Sequence, residues 1–132
     1  MALQVLGMCL ILILVTGFAF DLWRGFSARR SATAAADSAA AAGATALDEA
    51  AYRADGTVRL VPATAEARAC EVLRHSDAAA ACDADHITVD ATGASPSVTV
   101  TVERPFQFTL LRPFLQGTDA TTVRVSSTAS PR

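Results

Sequence analysis

Cys70, His75, Cys82, Asp83, Asp85 and His86 fall within one short stretch, and their side chains have the chemistry to hold a metal. A structural zinc site draws on closely paired ligands such as C-x2-4-C. Here the steps from Cys70 to His75, Cys82 and His86 are five, seven and four residues, which form no such pairs. The pattern predicts a cysteine pair with two solvated histidines, and no metal or other cofactor. Asp83, Asp85 and Asp90 resemble a calcium loop only in charge, because the glycine at position six and glutamate at position twelve are missing. Hydrolytic chemistry would need a nucleophile, a base and oxyanion donors, but the chain has no G-x-S-x-G and both histidines sit together. Phosphate-cradling glycine loops are absent too. The expectation is a protein that is not an enzyme and takes no small-molecule substrate.

Cys70 and Cys82 stand twelve positions apart. In an oxidising compartment they would form a disulfide, contributing about 3 kcal/mol in the chain-entropy model. A small domain with a thin core needs such a staple. Cys9 lies in an apolar stretch and reads as an inert small hydrophobe.

What must position these residues begins at the N-terminus. Ala2 to Phe20 holds no charge, and Asp21 is the first ionisable side chain. Nineteen helical residues cover roughly 28 Å, close to a bilayer's hydrocarbon core of about 30 Å. Backbone in lipid must satisfy its own hydrogen bonds, so the stretch reads as one membrane-crossing helix. No Lys or Arg precedes Ala2, and Phe18 and Phe20 put bulky residues near any cut, so the stretch is expected to be a retained anchor rather than a cleaved signal. Asp21, Trp23, Arg24, Arg29 and Arg30 then fall at the membrane–water boundary, where Trp and phosphate-binding Arg are favoured. The net charge of −2 offers no basic field for nucleic acid.

From Asp21 to Ala51 there is no proline, so the helix is expected to continue through the alanine-rich stretch to about Tyr52. Its small face, with Ala35, Ala36, Ala39, Ala40 and Gly43, permits close helix approach. Two readings stand side by side: the face lies on the chain's own domain, or it packs against sister subunits. Asp55-Gly56 marks a turn and Thr57 to Val61 a short extended piece. A second helix is predicted from an N-cap at Thr64 to about His75. Ser76 to Asp85 reads as a loop. Alternation predicts strands at His86–Asp90, Ser97–Arg104 and Thr121–Ser126, with Phe106, Phe108 and Leu110 extending the pattern past Pro105. Phe106, Phe108 and Phe114 are expected in the core or as a cover over the sheet. Gly93 to Pro96 and Arg112 to Gly117 read as a turn and a loop, and Ser127 to Arg132 as a frayed tail.

The order of parts resembles a known family. The stretch FDLWRGFSARRSATAAADSAAAAGA is similar to the "D-x-G-R … x-A-R-R … x-A-A-D-A-A-A-L-A-G-A" juncture of Flp/Tad pilus-assembly TadE/TadG-like proteins. The matching residues are Asp21, Arg24, Ala28, Arg29, Arg30, Ala35, Ala36, Asp37, Ala39, Ala40, Ala42, Gly43 and Ala44. The closing VTVTVERPFQFTLL … TTVRVSSTAS is also similar to that family's terminal strands and tail. Members often carry a Gly before the apolar helix and a Glu inside its start; here Gln4 and Val5 stand near that position and no Glu precedes Asp21. The resemblance implies a minor pilin-like or pseudopilin-like subunit rather than a processed major pilin, with other pilus-assembly subunits and the lipid bilayer as partners.

The expected architecture is α+β: residues 1–21 an anchor, 22–52 a helical extension, and 53–132 a small domain with a helix on a three- or four-stranded antiparallel sheet, pilin-like in plan. The positive-inside rule would place the arginine side in the cytoplasm. The cysteine pair and the resemblance place it outside, and that orientation is adopted: a single-pass cell-membrane protein with its C-terminal domain extracytoplasmic. One rival is a membrane-tethered extracytoplasmic binding module. Another is an envelope enzyme using His75 or His86.

Overall fold

A 43-residue helix, α1 (Ala2–Ala44), runs through the computed structural model and organises everything else. The structure describes residues 2–76, 78–83, 85–91, 95–106 and 121–131. At about 1.5 Å per residue α1 is roughly 64 Å long, about twice the thickness of a hydrocarbon core. No alanine-rich sequence element stops it. Tertiary structure does: the N–H groups of Thr45 and Ala46 turn back to the carbonyls of Ala42 and Gly43 at 3.2 and 3.0 Å, tightening the last turn. Arg68 then donates to the Thr45 carbonyl and hydroxyl, both at 2.8 Å, placing a cation at the helix C-terminus.

The helical extension expected to Tyr52 is therefore two helices. Leu47 and Leu60 face each other in an antiparallel bridge, flanked by Asp48 N–H to Arg59 O and Val61 N–H to Ala46 O, both 2.9 Å. Between them lies α2 (Glu49–Asp55), capped by the Asp48 carboxylate on the N–H groups of Ala50 and Ala51. It ends at Gly56, whose φ of 71° is the left-handed conformation that glycine adopts without strain. Next comes α3 (Pro62–Arg74), which starts two residues before the predicted N-cap at Thr64. Proline suits that first position because its φ is preset and it has no N–H to leave unsatisfied. A single 3-10 turn, Ala79–Ala81, occupies part of the expected loop.

Three antiparallel strands follow in the order β1 (Ile87–Asp90), β2 (Ser97–Phe106) and β3 (Thr121–Ala129). The register sets Ile87 opposite Val100 and Val89 opposite Val98, then Val102 opposite Val125 and Val98 opposite Ala129. Cross-strand partners share a face, so one side of the sheet is valine-rich. The other carries Thr99 against Thr128, whose hydroxyls are 2.8 Å apart, and Glu103 against Arg124 at 2.7 Å. Ser127 to Ala129, expected to fray, are paired strand residues opposite Val100 to Val98. Phe108, Leu110, Phe114, the loop from Arg112 to Gly117 and half of the predicted turn at Gly93 lie outside the described residues, as does the side chain of Phe106. The valine face packs on the second half of α1, with α3 beside it.

Candidate functional site

Residues 2–16 of α1 are all exposed. Leu3, Leu6, Leu10, Ile13 and Phe18 are all at least half exposed, and this part of the helix is long and apolar enough to cross a membrane. An unbroken run of exposed leucine and isoleucine of this size marks a surface that meets lipid or a partner. Cys9 is a free, exposed thiol within this run.

Beyond Phe20 the two sides of α1 diverge. Gly17, Asp21, Gly25, Ala28, Ala32, Ala35, Ala36, Ala39, Ala40 and Gly43 recur at three- and four-residue steps and so share one side. All of them are buried except Gly25 and Ala28, which are half-buried. Only residues this small allow a sheet and a second helix to sit against the α1 backbone. A β-carbon added to Gly43 would lie 3.0 Å from a methyl of Val98 and 3.2 Å from the Ala65 carbonyl oxygen. Of the two readings of the small face, this is the first: Ala35, Ala36, Ala39, Ala40 and Gly43 pack on the chain's own domain.

The boundary residues separate in the same way. Trp23, Arg24, Arg29 and Arg30 are exposed. Asp21 is not: it is 1% exposed, because it lies on the domain-facing side four residues from both Gly17 and Gly25. It is engaged by a hydrogen-bonding or electrostatic contact, as a buried carboxylate must be. Phe26, 78% exposed, belongs with Trp23 on the outer side. The signal for it was available in the sequence, three residues after Trp23 on the same helix face.

Cys70 and Cys82 lie within disulfide-bonding distance, their Cα atoms 5.0 Å apart. They link α3 to the turn that leads into β1. With Glu66, Asp83 and Ile87 they line an open cleft of about 330 Å³. The other members of the cluster are not drawn in with them. His75 Nδ1 bonds the Glu71 carbonyl at 2.7 Å, within its own helix. His86 Nδ1 pairs with the Asp83 carboxylate, and that hydrogen bond holds the Asp83 carboxyl below its ordinary value. Hydrogen bonds from the side chain and backbone of Thr57 do the same for Asp55. Among the described residues no three His, Cys, Asp or Glu side chains converge as a metal site would require.

Comparison with protein-family models, with curated proteins and with solved structures finds no match. The geometry itself is an apolar rod, exposed at one end and clasped by an α+β head at the other.

Proposed function

We propose that the chain is a non-enzymatic, membrane-anchored subunit of the minor pilin-like or pseudopilin-like kind, serving assembly of a Flp/Tad-type pilus or a related secretion apparatus. The observation that carries this reading is the single α1 helix. Its first half is an exposed apolar rod, and its second half is the spine of the head. Anchor and head share one uninterrupted backbone, so a pull or push on the head is transmitted to the membrane segment without a hinge. A tether to a binding domain has no need of such rigidity and is more simply built from a flexible linker. The resemblance of the juncture from Asp21 to Ala44 supports the same family of roles.

In this proposal residues 2–20 lie in the bilayer and the head faces an oxidising space, where Cys70 and Cys82 are joined. The small face is filled by the chain's own sheet and helix. Contact with other pilin-like subunits therefore falls to the bare rod and the outer side of α1. Cys9 sits on that rod and is its natural probe. In native membranes, mild oxidation should link neighbouring copies through Cys9 or through single cysteines moved along Leu6 to Leu14 in a Cys9→Ala background. Deleting the gene should remove surface filaments or block secretion, and the full chain should restore them. Normal filaments and secretion in the deletion strain, with no crosslinking at any rod position, would overturn the reading.

A further inference from the structure

We infer that the outer side of α1 just beyond the apolar stretch, with Trp23, Phe26, Arg29 and Arg30, is a docking surface for the phosphate headgroups of anionic phospholipids; this rests on the membrane-anchored reading above. Trp23, Phe26, Arg30 and Thr33 follow one another at three- and four-residue steps, so they form one stripe, with Arg29 beside it. The stripe lies on the side of α1 away from the buried alanines, and Trp23 and Phe26 are 68% and 78% exposed. Phe26, Arg29, Arg30 and Thr33 line a shallow open hollow of about 410 Å³, with Asp37 at the end away from the apolar stretch.

Depth and charge select the occupant. At about 1.5 Å per residue, Trp23 stands roughly 5 Å and Phe26 roughly 9 Å beyond Phe20. The headgroup layer is about 5 to 8 Å deep on each side, so Trp23 stands in it, where its amphipathic ring is favoured, and Phe26 stands at its outer edge. Arg29 and Arg30 stand roughly 13 to 15 Å out, but helical side chains lean toward the N-terminus, which here is the membrane. Their long stems return the guanidinium groups toward the phosphates. From Leu22 to Ala36 the chain has three arginines and no acid, whereas from Asp37 onward eight arginines face twelve acids. The positive charge is thus gathered at the level of the lipid phosphates on an otherwise acidic protein, and guanidinium forms bidentate hydrogen bonds with phosphate. A negatively charged protein partner would find this patch only by lying in the headgroup layer.

Trp23 is the sole tryptophan, so its fluorescence reports on its own surroundings. The full chain is reconstituted into vesicles in which either phosphatidylcholine or phosphatidylglycerol, at equal mole fraction, carries brominated acyl chains. Brominated phosphatidylglycerol should quench Trp23 more effectively than brominated phosphatidylcholine, corresponding to a preference of up to about fivefold per arginine at low salt. The preference should weaken as salt rises. In Arg29→Gln/Arg30→Gln it should fall toward unity while quenching by phosphatidylcholine is retained, which shows that the variant is still inserted. Equal quenching by both lipids in the unaltered chain, or an undiminished preference in the double variant, would overturn the docking surface and leave the anchor standing. No quenching by either lipid would overturn the anchor and the docking surface together.

Discussion

Gly43 and Val98 are in such close contact that a β-carbon on the glycine would lie 3.0 Å from a Val98 methyl, with the Ala65 carbonyl oxygen 3.2 Å away on α3. Helix, sheet and second helix meet at this point. Methyl groups can shift slightly, but a backbone carbonyl cannot. Gly43→Ala should therefore lose more to overpacking, about 1–3 kcal/mol, than the roughly 1 kcal/mol it gains in helix propensity. The expected result is a lower midpoint of denaturant unfolding in detergent. Gly43→Leu should fail to fold the head. A Gly43→Ala protein more stable than the parent would show that the three elements do not close on this residue.

The same packing separates alanines that look alike in the sequence. Ala36 and Ala39 are fully buried against the chain's own head, whereas Ala34 and Ala41 are exposed. Leucine at Ala36 or Ala39 should destabilise the head by several kcal/mol, because the added side chain has no space beside the valine face. Leucine at Ala34 or Ala41 should change stability by less than about 0.5 kcal/mol. Protease resistance of the head checks both. Loss of assembly in the Ala36 and Ala39 variants then reports a fold defect, and only the exposed pair tests contact between subunits.

Much of the head was legible because strand alternation is a local signal. Val98, Val100 and Val102 alternate with Thr99, Thr101 and Glu103, and all three valines are fully buried. The end of α1 was not legible. Nothing between Ala44 and Tyr52 breaks a helix by its own chemistry; the stop comes from Arg68, the Leu47–Leu60 bridge and the Asp48 cap, which only tertiary structure brings together. Alanine equally suits an internal and an external interface, so the destination of the small face stayed open until the sheet was seen upon it. The burial of Asp21 was not legible for a related reason. A charge after an apolar run reads as the first wet residue, yet the three- and four-residue spacing from Gly17 to Ala32 puts it on the covered side. Ser127 to Ala129 had too little hydrophobicity to announce a strand, and are held by their register with Val98 to Val100.

The Cys70–Cys82 link closes a short loop between α3 and β1, with a sequence separation of 12. The chain-entropy model gives about 3 kcal/mol for such a loop, a large fraction of the stability of a head this small. Cys70→Ser/Cys82→Ser should lower the stability of the head by about that amount and make it protease-sensitive. Under non-reducing conditions the unaltered protein from its native membrane should present one alkylatable thiol, Cys9. Three alkylatable thiols would place the head in a reducing compartment and overturn the orientation proposed for it.

Asp83 ties that link to the sheet, since its carboxylate accepts from the backbone N–H of His86 at 3.2 Å and pairs with the His86 ring. The hydrogen bond from His86 is the main cause that lowers the Asp83 pKa below 3.8. For a carboxyl whose folded value is depressed, the linked stabilisation is present above the unfolded value and is lost as pH falls through the folded one. The Asp83 contribution should therefore hold from neutral pH down to about pH 5 and fade progressively as pH falls through the unfolded and then the folded value. Asp83 is exposed, so the change in overall stability will be small, and the direct measurement is its carboxyl chemical shift by NMR. The titration midpoint should lie below that of an unstructured aspartate, and His86→Ala should move it upward. A midpoint unaffected by His86→Ala would show that the ring does not hold the carboxylate, and that the turn into β1 is fixed by the backbone bonds of Asp83 alone.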